Sequence, residues 1–111
     1  MSVQILFAQI AKQDLRDIWR GLAEYSGLSV VDSTLANIES KFRVLVQFPS
    51  SGRSRSVSVG ESRDELLVGL RSYPAGDFVI FYQILETTVE VVRVLHGRRD
   101  IDSIFDESES S

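Results

Sequence analysis

The hydrophobic positions along the chain change their spacing from segment to segment, and each spacing predicts a different element. Val3, Ile5 and Phe7 alternate with polar or small residues, the period of a half-buried strand. Beyond Ala11 the period lengthens. Leu15, Ile18, Trp19 and Leu22 fall at i, i+3, i+4 and i+7, one stripe of an amphipathic helix, with Asp14, Arg16, Asp17, Arg20 and Glu24 at other positions. Trp19 lies on that stripe and is expected in the core. Gly27 is placed to close the helix. Ser29 with Asp32 three residues on predicts a capping-box-like start to a second helix. Its seam is Val31, Leu35, Ile38, Phe42 and Leu45, suited to antiparallel packing against the first, and Pro49 stops it.

Residues 50–63, SSGRSRSVSVGESR, are serine-, glycine- and arginine-rich, which predicts a flexible loop. Sheet signals follow. Leu66–Tyr73 predicts a strand, Pro74-Ala75-Gly76-Asp77 a turn, Phe78–Leu85 a central strand covered on both faces, and Val89–Leu95 a further strand. The short connections make these three an antiparallel meander, and Gly97 breaks the last strand. The N-terminal strand must join an edge of that meander. Ile101, Ile104 and Phe105 can form the apolar face of a short terminal helix, and residues 108–111 a frayed acidic tail. The expectation is an α+β fold, β-α-α-β-β-β(-α), with a two-helix hairpin on a small, mainly antiparallel sheet, forming one domain over residues 1–107.

Composition narrows the class. The chain has 111 residues, enough for one core without staples, and 43% of them are hydrophobic. It has no cysteine and one histidine, so disulfides, thiolate metal sites and cysteine nucleophiles are excluded and no metal or cofactor is expected. No apolar run reaches the roughly 18 residues a membrane span needs, and the start lacks the basic region of a signal peptide. A soluble intracellular domain is expected. The net charge of −4 is uneven: Asp100, Asp102, Asp106, Glu107 and Glu109 have no base among them, leaving twelve bases against eleven acids in residues 1–99. That balance makes direct nucleic-acid binding an unfavoured reading.

No phosphate-binding loop, dinucleotide fingerprint, zinc-protease or nucleophile-elbow motif occurs. The arginines offer chemistry of another kind, because a planar guanidinium grips two oxygens at once. Arg53, Arg55, Arg71, Arg93, Arg98 and Arg99 are candidates for binding an anion or a macromolecular target. The alternatives are a solvated loop for the first two, and for Arg71 and Arg93 surface ion pairs with Glu90 or Asp100, which contribute little. Histidine as a residue type can exchange a proton at physiological pH, and His96 stands beside arginines, so it could move a proton, although no second titrating partner is identifiable by spacing. Tyr82 is expected in the core with its hydroxyl at the rim.

Four motifs carry a more specific resemblance. They are A-x-x-DL-x-x-IW from Ala11, P-x-x-GR from Pro49, GLRS-x-P-x-G-x-x-x-IFY from Gly69 and RVLHG-x-RD from Arg93. In this order they resemble the ParE branch of the RelE/ParE toxin superfamily. The resemblance implies a toxin of a type II toxin–antitoxin module in the bacterial cytoplasm, neutralised by a cognate antitoxin and acting on DNA gyrase to block replication. Leu15, Trp19, Leu22, Ile101, Ile104 and Phe105 then become expected antitoxin contacts, within a hetero-oligomer; a homodimer could bury the same surface. RelE-type members of the same fold cleave mRNA on the ribosome. That alternative would use Arg71, Arg93 and His96, while a third reading is an inactive homologue that only binds antitoxin. Against the family pattern, SVSVGESR at 56–63 looks like an insertion.

Overall fold

The computed structural model describes residues 3–54 and 69–97. Its elements are β1 (Gln4–Phe7), α1 (Gln9–Tyr25), α2 (Leu28–Gln47), a short 3-10 turn (Pro49–Ser51), β2 (Arg53–Ser54), β3 (Arg71–Ala75), β4 (Phe78–Leu85) and β5 (Thr88–His96). The five strands form one sheet in the order β1-β5-β4-β3-β2. β1 runs parallel to β5 and the other pairs are antiparallel, so the α+β architecture expected from the chain is the one observed.

Hydrophobic burial explains the layering. Ile38 and Leu45 from α2 and Ala11 from α1 pack with Ile80, Tyr82, Val89, Val91 and Val94 of the sheet in one buried cluster. Phe7 and Phe42 close its end edge to face, with ring centroids 5.0 Å apart. The α2 seam therefore turns onto the sheet and not only onto α1. On the other face Leu70, Phe81 and Leu95 are buried too, which fits the continuous apolar run of β4.

Several local expectations are corrected. Gly27, at φ 90, both closes α1 and precedes α2. Its N–H and that of Ser26 both reach the Leu22 carbonyl. α2 accordingly starts at Leu28 and the Ser29–Asp32 capping box does not form, since no side chain caps this helix. Of the strand expected over Leu66–Tyr73, residues 66–68 lie outside the described residues; the observed strand is Arg71–Ala75, running on through Pro74. β2 covers β3 only at Arg71 and Ser72, so the missing N–H of Pro74 leaves no ladder bond unmade. The turn then shrinks to Gly76-Asp77, with Gly76 at φ 64 supplying the left-handed position of a two-residue hairpin. The supposed flexible loop begins as ordered structure, the 3-10 turn and β2. Trp19 is 49% exposed instead of in the core. The 56–63 insertion, the terminal helix and the acidic tail lie outside the described residues.

β5 carries one irregularity with consequences. Tyr82 pairs with Val91 and Phe81 with Arg93, which leaves Val92 as an extra residue in a bulge. Val89 and Val91 point into the main core before the bulge, and Val94 does so after it. Leu95 consequently joins the opposite face. The bulge shifts the alternation by one residue.

Candidate functional site

Two polar junctions fix the surfaces that can act on other molecules. At the first, the Tyr82 hydroxyl donates to the Pro49 carbonyl at 2.6 Å and accepts the Gly52 N–H at 2.8 Å. Tyr82 is fully buried, so its hydroxyl sits inside the fold and not at the rim. Burial raises its pKa above the usual phenol value, against the smaller opposing effects of the Gly52 hydrogen bond and the nearby Arg71 charge. Gly52 must be glycine for reasons of space: a Cβ there would lie 2.6 Å from Tyr82 Cε1. Arg71, opposite Tyr82 in the ladder, donates from Nη1 to the Gly52 carbonyl at 2.9 Å and to that of Ser50 at 3.4 Å.

At the second junction, Asp14 of α1 meets Arg93 of β5. Arg93 donates Nε to Oδ2 at 2.8 Å and Nη2 to Oδ1 at 3.1 Å, a two-point guanidinium–carboxylate pair. Asp14 Oδ2 also accepts the Val94 N–H at 3.0 Å. The side chains are 11% and 32% exposed, so the pair is partly shielded from water and ties α1 to the bulged strand. Glu90, weighed as a partner for Arg93, instead accepts from Gln83 at 2.7 Å.

Beside this second junction a groove of about 900 Å³ opens between the helical hairpin and one end of the sheet. α1 lines it with Asp14, Asp17, Ile18, Gly21, Leu22 and Tyr25, and α2 with Val30, Ser33, Thr34 and Asn37. Asp77, Phe78, Val94 and His96 belong to its sheet side. His96 packs edge to face on Phe78, its ladder partner, with centroids 5.6 Å apart. Tyr25 and Val30 leave apolar surface at the rim, Tyr25 being 86% exposed.

The arginine and histidine candidates are therefore divided. Arg93 and His96 face the groove. Arg71 lies on the other side of β4, holding backbone carbonyls of the Pro49–Gly52 turn. Arg53 is exposed on β2. Of the expected antitoxin contacts, Leu22 lines the groove, Leu15 packs against the core and Trp19 is exposed outside the groove lining. Arg55, Arg98, Arg99, Ile101, Ile104 and Phe105 lie outside the described residues. Among the described residues no cluster of three or more potential ligands could hold a metal, and no helix is long and apolar enough to cross a membrane.

The family described as "ParE toxin of type II toxin-antitoxin system, parDE" matches residues 5–101. The chain belongs to the ParE toxin family. It is 30% identical over 103 residues to toxin ParE1 of Mycobacterium tuberculosis, covering 92% of this chain and 97% of that protein. It is 32% identical over 88 residues to toxin ParE3 of Caulobacter vibrioides, covering 79% and 80%. Among solved structures, the chromosomal ParDE toxin–antitoxin system of P. aeruginosa superposes with a TM-score of 0.67 at 15% identity, over 86% of this chain and 96% of that one.

In this ParE-family chain the four sequence motifs meet in pairs. P-x-x-GR supplies Pro49 and Gly52, GLRS supplies Arg71, and IFY supplies Tyr82, all at the first junction. A-x-x-DL supplies Asp14 while RVLHG supplies Arg93 and Val94, at the second. Much of the ParE-like signature is thus the wiring of the fold. Asp14 had no assigned role on sequence, where it reads as one more polar helix position; its place in the A-x-x-DL motif was the available signal. Asp17, Gly21 and Asp77 gave no signal at all.

Proposed function

We propose that this chain is a ParE-type toxin that arrests growth by binding DNA gyrase, in the bacterial cytoplasm, and is held inactive by a cognate antitoxin. Membership of a toxin–antitoxin family supports the general role, and a stoichiometric protein partner suits a chain with a large open groove and exposed apolar residues at its rim. Among the described residues no strand pairs with the outer edge of β1, which offers a second surface: Gln4 and Ala8 direct their N–H groups to β5, so the intervening Ile5 and Phe7 turn their backbone groups outward.

The observation that carries the gyrase reading over mRNA cleavage is the engagement of Arg71. A ribonuclease needs guanidinium groups presented to a phosphate in flight between oxygens. Here Arg71 is spent on the Gly52 and Ser50 carbonyls, and Arg93 is met by the Asp14 carboxylate. Occupancy of a target surface asks for neither group to be presented.

A supercoiling assay with purified DNA gyrase, run beside incubation of the chain with mRNA and ribosomes, tests the proposal. Loss of supercoiling with intact transcripts is expected, and His96→Ala should retain the inhibition. Untouched gyrase together with cut transcripts would establish the interferase reading. Inactivity in both assays, with antitoxin binding retained, would identify a homologue that only binds its partner.

A further inference from the structure

The two edges of the sheet are built differently. β2, at one edge, is two residues long and carries Arg53, and β3 beside it holds Pro74 where β2 no longer covers it. A short strand, a charge and a proline are devices that keep an exposed strand edge from pairing with another chain. β1, at the other edge, has neither the charge nor the proline. Its four residues are Gln4, Ile5, Leu6 and Phe7, and their register with β5 runs without a bulge. No charged side chain precedes Lys12 in the sequence.

Leu6 is the side chain this edge presents to solvent. Ile5 and Phe7 pack against the core cluster beneath the helices, so Leu6 faces the opposite side of the sheet, where it is 55% exposed.

The backbone decides what can pair there. Ile5 and Phe7 turn their N–H and C=O groups away from β5, and an antiparallel partner must set its own outward residues opposite them. A second copy of β1 does this in a register centred on Leu6. Ile5 of each copy opposes Phe7 of the other, each pair exchanging both of its backbone hydrogen bonds. Leu6 then opposes Leu6 at a non-hydrogen-bonded position, the closer of the two cross-strand spacings. Centring one residue earlier would set Leu6 against Gln4, an apolar side chain against an amide.

We infer that two copies of this chain pair through β1 about a two-fold axis at Leu6, joining their sheets into one. The same patch serves both subunits, as a two-fold interface requires. Each copy carries a net charge of −4, but β1 brings no charged side chain of its own to the junction. Strands this short bury less than the roughly 1,200–2,000 Å² of a standard stable interface, so a Kd on the order of 100 μM is expected. The inference stands apart from the gyrase and antitoxin reading. A strand added to β1 by another protein would exclude the second copy.

Sedimentation equilibrium of the full chain, up to about 1 mM, should show a monomer–dimer equilibrium. Leu6→Lys, shown folded by circular dichroism, sets like charges opposite each other and should weaken it at least about tenfold. Tyr25→Lys, at the exposed hairpin tip, should stay within about twofold of wild type. The chain has no cysteine, so single-cysteine variants report the register directly. Under mild oxidation Leu6→Cys should form a disulfide-linked dimer, because the paired Cα atoms stand about 4.5 Å apart. Gln4→Cys should not, its two copies being offset by about 13 Å along the strands. A chain that stays monomeric at 1 mM overturns the inference. So does a dimer broken by Tyr25→Lys and not by Leu6→Lys, or equal cross-linking of the two cysteine variants.

Discussion

Tyr82, on the central strand, holds Pro49 and Gly52 together: one hydroxyl donates to the carbonyl of the first and accepts the N–H of the second. The turn that leaves α2 is thereby fixed to the sheet by a buried hydroxyl, beside the Arg71 contacts to the Ser50 and Gly52 carbonyls. Tyr82→Phe keeps the ring and strands both backbone groups. A loss of about 1–3 kcal/mol is expected in denaturant unfolding, the desolvation penalty of unmet buried polar groups. Gly52→Ala should cost a similar 1–3 kcal/mol by overpacking against the same ring.

The same hydroxyl makes stability fall at high pH. Burial raises the Tyr82 pKa in the folded chain above its unfolded value of 10.0. The folded state then keeps a proton that the unfolded state releases, so the contribution is fully present below about pH 10 and is lost as pH rises through the folded pKa. The stability gap between wild type and Tyr82→Phe should therefore narrow above about pH 10. An unchanged gap up to pH 11.5 in urea melts would refute this assignment.

Asp14→Ala should destabilise the chain by about 2–3 kcal/mol, because it leaves the partly buried Arg93 and the Val94 N–H without their acceptor. Asp14→Asn retains an oxygen for Val94 and Arg93 Nε and loses the charge with the acceptor for Arg93 Nη2, so a smaller cost is expected. Equal losses in the two variants, measured by chemical denaturation, would show that the charge and not the hydrogen bond to Val94 dominates.

Glu86 is the described non-glycine residue with positive φ, 54°, at the first position of the β4–β5 turn. Left-handed backbone costs an ordinary L-residue roughly 1 kcal/mol, and asparagine tolerates it better. Glu86→Asn should raise the midpoint of thermal unfolding by a few degrees, equivalent to about 0.5–1 kcal/mol. A fall in the midpoint would mean that the glutamate side chain contributes something the turn geometry does not reveal.

The amino-acid pattern alone determined the order of β1, the two helices and β3 to β5, the two apolar helical seams, the doubly buried β4 and the superfamily, because each follows from periodicity or from residues near one another in sequence; β2, inside the stretch read as a loop, was missed. Side chains that decide between surface and interior along a helix flank were less legible. Trp19 has the right spacing for the core but sits on the edge of the stripe, where a rotation of the helix about its axis exposes half of it. Only the tertiary structure decided what the arginines do. Arg71 and Arg93 look alike in sequence, as solitary bases in β strands, yet one binds carbonyls 19 and 21 residues away and the other a carboxylate 79 residues away. The β5 bulge was equally hidden, since one extra residue changes which face every later side chain takes without altering the composition of the strand. Partners so distant along the chain are chosen by how strands and helices stack, and no local period encodes that stacking.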